Sequence, residues 1–315
     1  MRKALLLYNP HSGPRPQRNA AAAEQAAHAL RAAGVEAAIA PILSPAAAAQ
    51  QARDALAHGN DTIFACGGDG TVQDVAQGLV GTNAALGLIP LGTANVLAHD
   101  LGFPRDPAAA ARSALTAVPL RIAVGQVQCQ SLSGAPLSKY FLSVVGAGMD
   151  AYLFHRLERR HKETFGIAAY CAQAFYTWLG HRARWFPVHL DGEPQPPVTQ
   201  LLAVRLADFG NVLRTLAPGA SLLRNDLRVV LFHSSSRWAF LRYVLRGIVR
   251  ASWNIPGIEL RNATRIACGP PPGADPVYIE ADGELLGTLP AEISIIPNAL
   301  TLLAANSCSK TKMSS

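Results

Sequence analysis

The residues best suited to chemistry in this chain lie in one glycine-rich segment, residues 67–71, which has the sequence GGDGT. Glycine has no Cβ, so backbone N–H groups in such a segment can approach a phosphate closely. Asp69 adds a carboxylate where a phosphate-bound Mg²⁺ or the proton of an attacking hydroxyl would lie. The segment favours nucleotide binding with a built-in acid, and a glycine turn without a ligand is the structural alternative.

Two elements must position this segment. The apolar run at residues 63–66 precedes it and predicts a buried strand, and a helical pattern follows at residues 72–79. A strand that passes through a tight turn into a helix presents unpaired N–H groups and the positive end of the helix dipole. The pattern therefore predicts an anion-binding helix start beside Asp69.

Small and polar residues also follow two further predicted strands. Lys3–Tyr8 is an apolar run that ends in the turn NPHSGP at residues 9–14. Residues 85–89 form another run, which ends in PLGTAN at residues 90–95 and precedes a helical pattern over residues 96–101. Because the carboxyl ends of parallel strands lie along one edge of a sheet, we expect the three turns to form one ligand site.

Three segments together resemble the diacylglycerol kinase catalytic family, which includes bacterial lipid kinases, sphingosine kinases and ceramide kinases. They are NPHSG at residues 9–13, GGDGTVQDVAQGL at residues 67–79 and PLGTANVLAHDLGFP at residues 90–104. Weaker likeness continues at residues 146–151, 164–170 and 282–284, so the resemblance covers most of the chain. It implies transfer of the γ-phosphate of ATP to a hydroxyl of a diacylglycerol-like or sphingoid lipid.

The resemblance also implies roles for individual residues, with ATP and Mg²⁺ as the cofactors. Asp69 is the expected metal ligand, and the late DGE turn adds Asp282 and Glu284 as catalytic carboxylates. Glu284 matches the proposed general base of related bacterial kinases, whereas related sphingosine kinases favour the position of Asp69, so the base stays open. From the residues alone, Asp282-Gly283 predicts a plain hairpin. The expected nucleotide contacts are Asn9, Ser12, Gly67, Gly68, Gly70, Thr71, Gly92, Thr93 and Asn95.

Three residues depart from the family pattern. Val96 stands where the family often has an aspartate, and its side chain cannot ligate a metal. Arg224 and Arg228 stand at the acidic positions of a segment that holds a structural Mg²⁺ in bacterial members. Since a guanidinium has donors only, we expect this structural site to be lost or replaced by an arginine pairing.

The order of elements predicts two domains of different class. Strands and helices alternate up to residue 117, which predicts a doubly wound parallel α/β domain. The second half is rich in short strands, with turns expected at residues 194–197 and 270–273, which predicts an antiparallel β-sandwich. We expect an ATP-binding domain at residues 1–120, joined by residues 292–315, and a β-rich lipid-binding domain at residues 121–291. Residues 307–315 are expected to be disordered.

Composition limits the class of protein. The 315 residues are 50% apolar and 16% charged, with a net charge of +7, which suits nucleotides or anionic headgroups without choosing between them. Five scattered cysteines without a CxxC pair support neither a zinc site nor a disulfide framework, as expected of the reducing cytoplasm. No apolar run has the length of a membrane span or a secretory signal. We expect a cytoplasmic protein that reaches lipid from the face of the membrane.

One basic aromatic stretch, residues 236–253, predicts an amphipathic helix. Arg242, Arg246 and Arg250 recur every four residues and share one face. Another face is expected to hold the apolar residues Trp238, Leu241, Leu245 and Ile248. The helix either rests on anionic lipid or packs on the sandwich with a solvated basic face, and both interpretations stay open. A second basic run, residues 155–162, is more typical of a solvated helix face than of the mouth of a lipid pocket.

Other classes of function fit parts of the pattern. An NAD kinase shares the GGDGT turn and the two-domain plan, but the NPHSG and PLGTANVLA segments favour a lipid acceptor. Val96, Arg224 and Arg228 motivate an inactive lipid or nucleotide sensor, whereas retention of Asp69 and Glu284 argues against it. No nucleic-acid partner is expected, because the charge is modest and no readout motif is present. An edge strand of the sandwich would allow a homodimer, although nothing in the sequence identifies that strand.

Overall fold

The computed structural model describes residues 1–149, 151, 183–206, 209, 216–249, 255–273 and 275–305. The chain divides into two compact units. The first contains Met1–Val124, Phe209 and Pro297–Ala305, and the second contains the other described residues from Gly125 to Ile296. The expected boundaries at residues 120 and 292 stay a prediction.

The first unit contains a parallel sheet. Its strands are β1 (Lys3–Tyr8), β2 (Glu36–Pro41), β3 (Thr62–Gly67), β4 (Ala85–Pro90) and the carboxyl-terminal part of β15 (Glu284–Ala304). They lie in the order β2-β1-β3-β4-β15, and every neighbouring pair is parallel. The order reverses between β1 and β3, the point at which doubly wound sheets bind ligands.

Five α-helices belong to the described part of this unit, which also has a 3-10 turn at Pro16–Arg18. They are α1 (Asn19–Ala32), α2 (Pro45–Ala57), α3 (Asp69–Ala76), α4 (Val96–Asp100) and α5 (Pro107–Leu115). Side chains cap two of them in the usual way: Ser44 Oγ accepts from the Ala47 N–H at 3.2 Å, and Asp106 Oδ1 accepts from the Ala109 N–H at 2.7 Å. All six residues of β3 are buried, as expected of a central strand.

The second unit is an antiparallel β structure. Its strands are β5 (Val118–Ser131), which begins in the first unit, β6 (Pro136–Phe141), β7 (Val144–Ala147), β8 (Phe186–Leu190), β9 (Glu193–Val198), β10 (Gln200–Val204), β11 (Leu227–Phe232), β12 (Ile258–Ala263), β13 (Arg265–Cys268), β14 (Tyr278–Ala281) and the first part of β15. One path follows β12-β11-β10-β7-β14-β15, and β13, β8 and β9 extend from β15. Helix α6 (Arg237–Val249) lies between β11 and β12 in the chain. The predicted fold class is confirmed.

Two local predictions were wrong. The helix after the glycine segment begins at Asp69 rather than at residue 72, because Gly68 already has the extended conformation of an N-cap. The proline-rich residues 194–197 are not a turn but part of β9. Among the described residues β9 pairs only with β8, and an edge strand tolerates proline because one side of its backbone needs no partner.

Several predictions fall outside the described residues. These are the family-like segment at residues 164–170, the basic run at residues 155–162, Arg250, Trp253, the Ile248 side chain and the tail at residues 307–315. Among the helices that the structure does describe, none combines the length and hydropathy needed to cross a membrane.

Candidate active site

Three turns meet at the carboxyl edge of the parallel sheet. We name them the first turn (residues 9–13, after β1), the glycine turn (residues 67–71, after β3) and the third turn (residues 90–95, after β4). The Gly68 N–H donates to Ser12 Oγ at 2.8 Å, which joins the first turn to the glycine turn. The N–H groups of Leu91 and Gly92 donate to the Gly67 carbonyl at 2.9 and 3.2 Å. The three predicted turns therefore form one connected group.

Glycine is required where these turns touch. A Cβ on Gly13, which has a φ of +73°, would lie 2.0 Å from the Leu91 carbonyl oxygen. A Cβ on Gly92 would lie 2.4 Å from Gly68 Cα. Gly70 differs from both, because it is exposed and an added Cβ would meet nothing within 4 Å. Neither packing nor a left-handed backbone explains glycine at this position.

Asn9 and Thr71 connect the first turn to helix α3. Asn9 Nδ2 donates to Thr71 Oγ1 at 3.1 Å, and Asn9 Oδ1 accepts from the His11 N–H at 2.8 Å. Thr71 is buried, and its side chain fills the space that a Cβ on Gly67 would occupy, with a closest approach of 2.3 Å. Both polar groups of Asn9 thus have partners within the site, where they fix the shape of the turns.

The third turn is closed by its own asparagine. Asn95 has a left-handed backbone with φ of +51°, and it precedes α4. Its Oδ1 accepts from the Gly92 N–H at 2.9 Å, and its Nδ2 donates to the Gly92 carbonyl at 2.8 Å. Thr93 lies exposed at the tip of this turn.

Asp69 bridges the starts of two helices. It is the first residue of α3, and its Oδ1 accepts from the Leu97 N–H near the start of α4 at 3.3 Å. Burial raises the pKa of the Asp69 carboxyl, while the N–H groups of Leu97, Val96 and Asn95 act in the opposite direction. Val96 therefore contacts Asp69 through its backbone N–H. This contact does not depend on the side chain at position 96, where the family often has an aspartate.

A second group of predicted residues lies in the β unit. Asp282 and Gly283 have φ values of +49° and +82°, which form the tight turn of the hairpin between β14 and β15. The Asp282 carboxylate accepts from three backbone N–H groups: Leu142 at 2.7 Å, Ser143 at 2.8 Å and Val144 at 2.9 Å. These three N–H groups lie where the chain passes from β6 to β7.

Arg205 provides the charge that faces Asp282. Arg205 is fully buried, and its Nη2 donates to the Leu222 carbonyl at 3.1 Å. Burial lowers the pKa of Arg205 to about 10, and the charge of Asp282 acts against that change. Burial raises the pKa of Asp282, against the effect of its three N–H donors and of Arg205. Both oxygens of Asp282 accept hydrogen bonds from the backbone between β6 and β7, and they hold that segment against the hairpin turn.

Glu284 has a different environment. It is the first residue of β15 and forms an ion pair with Lys139 of β6. The Glu284 side chain is 53% exposed, whereas that of Lys139 is only 15% exposed. Glu284 is therefore more accessible than Asp282, and a mostly covered lysine holds it in place.

Sequence reasoning missed three residues that shape these groups. Asn19, at the start of α1, is buried, and its Nδ2 donates to the carbonyls of Asn9 and Ser12, both at 2.8 Å. A lone polar residue at the head of an alanine-rich helix could have indicated this contact. Arg205 interrupts an apolar strand pattern, which is a second usable signal. Nothing in the local sequence marks Lys139 as a partner of Glu284.

The segment with arginines at the family's acidic positions contains the expected arginine pairing. Arg224 Nε and Nη2 donate to the two carboxylate oxygens of Asp226 at 2.6 and 2.5 Å. Arg228 donates to the Pro218 carbonyl at 2.8 Å and to Asn262 Oδ1 at 2.9 Å. The Arg224 pair thus lies within the loop before β11, whereas Arg228 connects β11 to that loop and to β12.

Family models match both units. Residues 3–127 match the diacylglycerol kinase catalytic domain, and residues 143–304 match the YegS C-terminal NAD kinase beta sandwich-like domain. The diacylglycerol kinase of Bacillus subtilis (strain 168) is 27% identical over 93% of both chains. That of Mycobacterium tuberculosis (strain CDC 1551 / Oshkosh) is 30% identical over 79% of this chain and 78% of the relative.

Solved structures show the same fold. A crystal structure of a diacylglycerol kinase from Bacillus anthracis str. Sterne matches with a TM-score of 0.71 and 19% identity over 98% of both chains. Yeast NADH kinase complexed with NADH is more distant, with a TM-score of 0.50 and 12% identity over 97% of this chain and 84% of that one. The fold and the family matches together define a lipid kinase with a nucleotide-binding domain and a β-sandwich domain. The chain belongs to the diacylglycerol kinase catalytic family, as its three turn motifs predicted.

Proposed function

We propose that this chain transfers the γ-phosphate of ATP to a hydroxyl of a diacylglycerol-like or sphingoid lipid, working in the cytoplasm at the surface of a membrane. The observation that carries the proposal is the connected group of three turns at the β1/β3 reversal, with Asp69 at its centre. Phosphoryl transfer needs positioned donors and charge neutralisation more than covalent chemistry. These turns offer backbone donors, and Asp69 offers a carboxylate for a charge-neutralising Mg²⁺.

The glycine turn is the proposed phosphate cradle. Gly70 is exposed and has no packing reason to be glycine, which supports close approach of a ligand to its backbone. The first N–H groups of α3 add donors and a positive dipole end. Asn9, Thr71 and Asn95 support the cradle because their hydrogen bonds fix the shape of the turns. Thr93 is exposed and would contact the nucleotide directly.

The donor set at this edge fits a phosphate-bound Mg²⁺. Asp69 supplies a carboxylate beside the proposed phosphate position, and Mg²⁺ in phosphoryl-transfer sites is usually held by one or two carboxylates together with the phosphates. The ion, when bound, neutralises charge on the phosphates. Asp69 would hold it, and the N–H groups at the start of α4 would hold Asp69.

Glu284 is the proposed general base for the lipid hydroxyl. It is accessible and is positioned by Lys139, whereas both oxygens of Asp282 accept from the backbone. Asp282 therefore acts as a positioning residue for the turn that carries Glu284. Asp69 is the rival general base. If Glu284 is the base, Glu284→Gln should still bind lipid but lose turnover; if Asp69 is the base, Asp69→Asn should do so.

A panel of acceptors tests the proposal. Phosphate transfer from labelled ATP with Mg²⁺ would be measured to diacylglycerol, sphingosine and ceramide in mixed micelles, with NAD as a parallel acceptor. We expect transfer to one class of lipid and none to NAD. Transfer to NAD alone would make the chain an NAD kinase. If the folded protein transferred phosphate to none of these acceptors, a sensor without catalysis would be favoured.

A further inference from the structure

Helix α6 has a fixed orientation on the β unit. Its inner face holds the buried residues Ala239, Tyr243 and Gly247, which recur every four positions. Tyr243 donates its hydroxyl to the Leu216 carbonyl at 2.7 Å, and its ring packs edge-on against Phe232 with centroids 5.0 Å apart. These contacts determine which residues of the helix face outward.

The outer face of α6 is not the polar face that a surface helix usually presents. Trp238 is 64% exposed and Leu245 is 51% exposed, and both are large apolar side chains. Arg242 is exposed as well, and the spacing of four and three residues places Trp238, Arg242 and Leu245 on one face. The sequence pattern assigned the arginines and the apolar residues to separate faces, whereas in the structure Arg242 shares this outer face with Trp238 and Leu245.

The charge that α6 itself carries has one sign. The sequence contains no aspartate or glutamate between Asp226 and Glu259. Arg242 is exposed and Arg246 is half-buried, so the helix presents positive charge without an acidic residue of its own. Tryptophan and arginine both combine an apolar body with a polar end, and both are favoured where a bilayer meets water.

We propose that the outer face of α6, formed by Trp238, Arg242 and Leu245, docks the protein on an anionic lipid bilayer. Trp238 and Leu245 would lie among the headgroups and upper acyl chains, and Arg242 would contact anionic headgroups. This docking surface rests on the proposed function, since a lipid kinase must reach a substrate held in a bilayer. Binding to the bilayer can nevertheless be measured without catalysis.

A second copy of the chain is the competing occupant. Two identical faces that meet across a two-fold axis would bring the same arginines together, and like charges in an interface are unfavourable. An anionic bilayer instead offers opposite charge along the whole face. Charge complementarity therefore favours lipid.

Co-sedimentation of the full chain with vesicles tests this surface. Vesicles of phosphatidylcholine with about one third phosphatidylglycerol would be compared with pure phosphatidylcholine, because the attraction depends on anionic headgroups. Two variants address the face: Trp238→Ser/Leu245→Gln removes the apolar side chains, and Arg242→Glu reverses the charge. Leu132→Gln and Arg53→Glu are matched controls, because both residues are exposed and lie elsewhere.

We expect each α6 variant to weaken binding to anionic vesicles about tenfold or more, and Arg242→Glu to reduce its salt dependence as well. The controls should bind like the wild type. Unchanged binding by both α6 variants would overturn the proposal, as would wild-type protein that ignores anionic vesicles. A variant that changes only the oligomeric state in light scattering would overturn it in favour of self-association.

Kinase assays separate this proposal from the proposed function. With a short-chain lipid dispersed in detergent, the α6 variants should retain wild-type transfer, while transfer to lipid in anionic vesicles should fall with binding. If no lipid is phosphorylated but vesicle binding still depends on α6, the docking surface stands and the proposed function fails. If transfer occurs and vesicle binding is independent of α6, the function stands and the docking surface fails.

Discussion

At the scale of single residues, Gly70 and Gly92 lie in the same site for different reasons. Gly92 is required by packing, since its Cβ would collide with the backbone of Gly68 at 2.4 Å. Gly70 faces open space, so glycine there has an entropic cost without a structural benefit. Gly92 thus helps to build the turns, whereas Gly70 is the residue that a phosphate would approach.

The variants Gly70→Ala and Gly92→Ala should therefore behave in opposite ways. Gly70→Ala should leave the free energy of unfolding unchanged or raise it by up to about 1 kcal/mol, yet weaken ATP binding. Gly92→Ala should destabilise the protein by about 1–3 kcal/mol through overpacking. Urea unfolding and calorimetric titration with ATP measure both effects. Full ATP affinity in Gly70→Ala would remove the main support for the phosphate cradle.

Asp69 should show the usual conflict between function and stability. Burial raises the pKa of its carboxyl above the unfolded value of 3.8, so the folded state binds the proton more tightly than the unfolded state. Ionised Asp69 thus lowers stability above the raised pKa, and that loss disappears as the pH falls below the unfolded pKa. Asp69→Asn should have a higher melting temperature than the wild type at pH 7, with the gap closing toward pH 3. A variant less stable than the wild type at pH 7 would contradict this account.

Substitutions at Asp282 and Glu284 should affect different properties: the first should lower stability and the second should lower turnover. In Asp282→Asn an amide NH₂ must face a backbone N–H donor, because both carboxylate oxygens are engaged, and we expect a loss of about 1–3 kcal/mol in stability. Glu284→Gln removes a half-exposed ion pair and should cost less than about 1 kcal/mol, while turnover on lipid falls with little change in KM. Unfolding curves and steady-state kinetics of both variants distinguish the roles. Full turnover in Glu284→Gln would assign the base elsewhere.

At the scale of elements, local sequence was sufficient where an apolar run is bounded by glycine or proline. Strands β1, β3 and β4 were predicted within a few residues for this reason. Contacts distant in sequence were not predictable: the 21-residue strand β15 could not be delimited in advance, because its partners change along its length. The prolines of β9 were assigned to a turn because sequence does not reveal which strand lies at an edge.

The candidate site was predicted to a similar extent. The three turns and Asp69 carry recognisable motifs, so their residues could be named in advance. Their partners could not be named, because Asn19, Lys139 and Arg205 act through hydrogen bonds and charges that only the folded chain brings together. The role of each predicted residue in the reaction stays a prediction.

The contact of Asn19 with the first turn is a testable connection between two elements. Asn19→Ala removes two buried donors to the carbonyls of Asn9 and Ser12, so stability should fall by about 1–2 kcal/mol and the KM for ATP should rise. Asn83→Ala is the matched control, because Asn83 is exposed. Equal kinetics in the two variants would show that the first turn does not need this support.

At the scale of the whole molecule, family and fold class followed from the order and spacing of three motifs. Yeast NADH kinase has a distantly similar fold, so the fold alone leaves the acceptor open. Lipid as the acceptor rests on the family and on the motifs that distinguish it. The particular lipid depends on the shape of a pocket, which neither composition nor periodicity encodes.

The most direct test of the central claim is the rate of phosphate transfer from ATP to the preferred lipid in mixed micelles, compared between Asp69→Asn and Asp54→Asn. Asp54 is an exposed carboxylate on α2 and controls for the loss of one charge. We predict that Asp54→Asn matches the wild type and that Asp69→Asn, although folded, is slower by at least about a hundredfold. Equal rates in the two variants would contradict the assignment of the glycine turn as the catalytic centre.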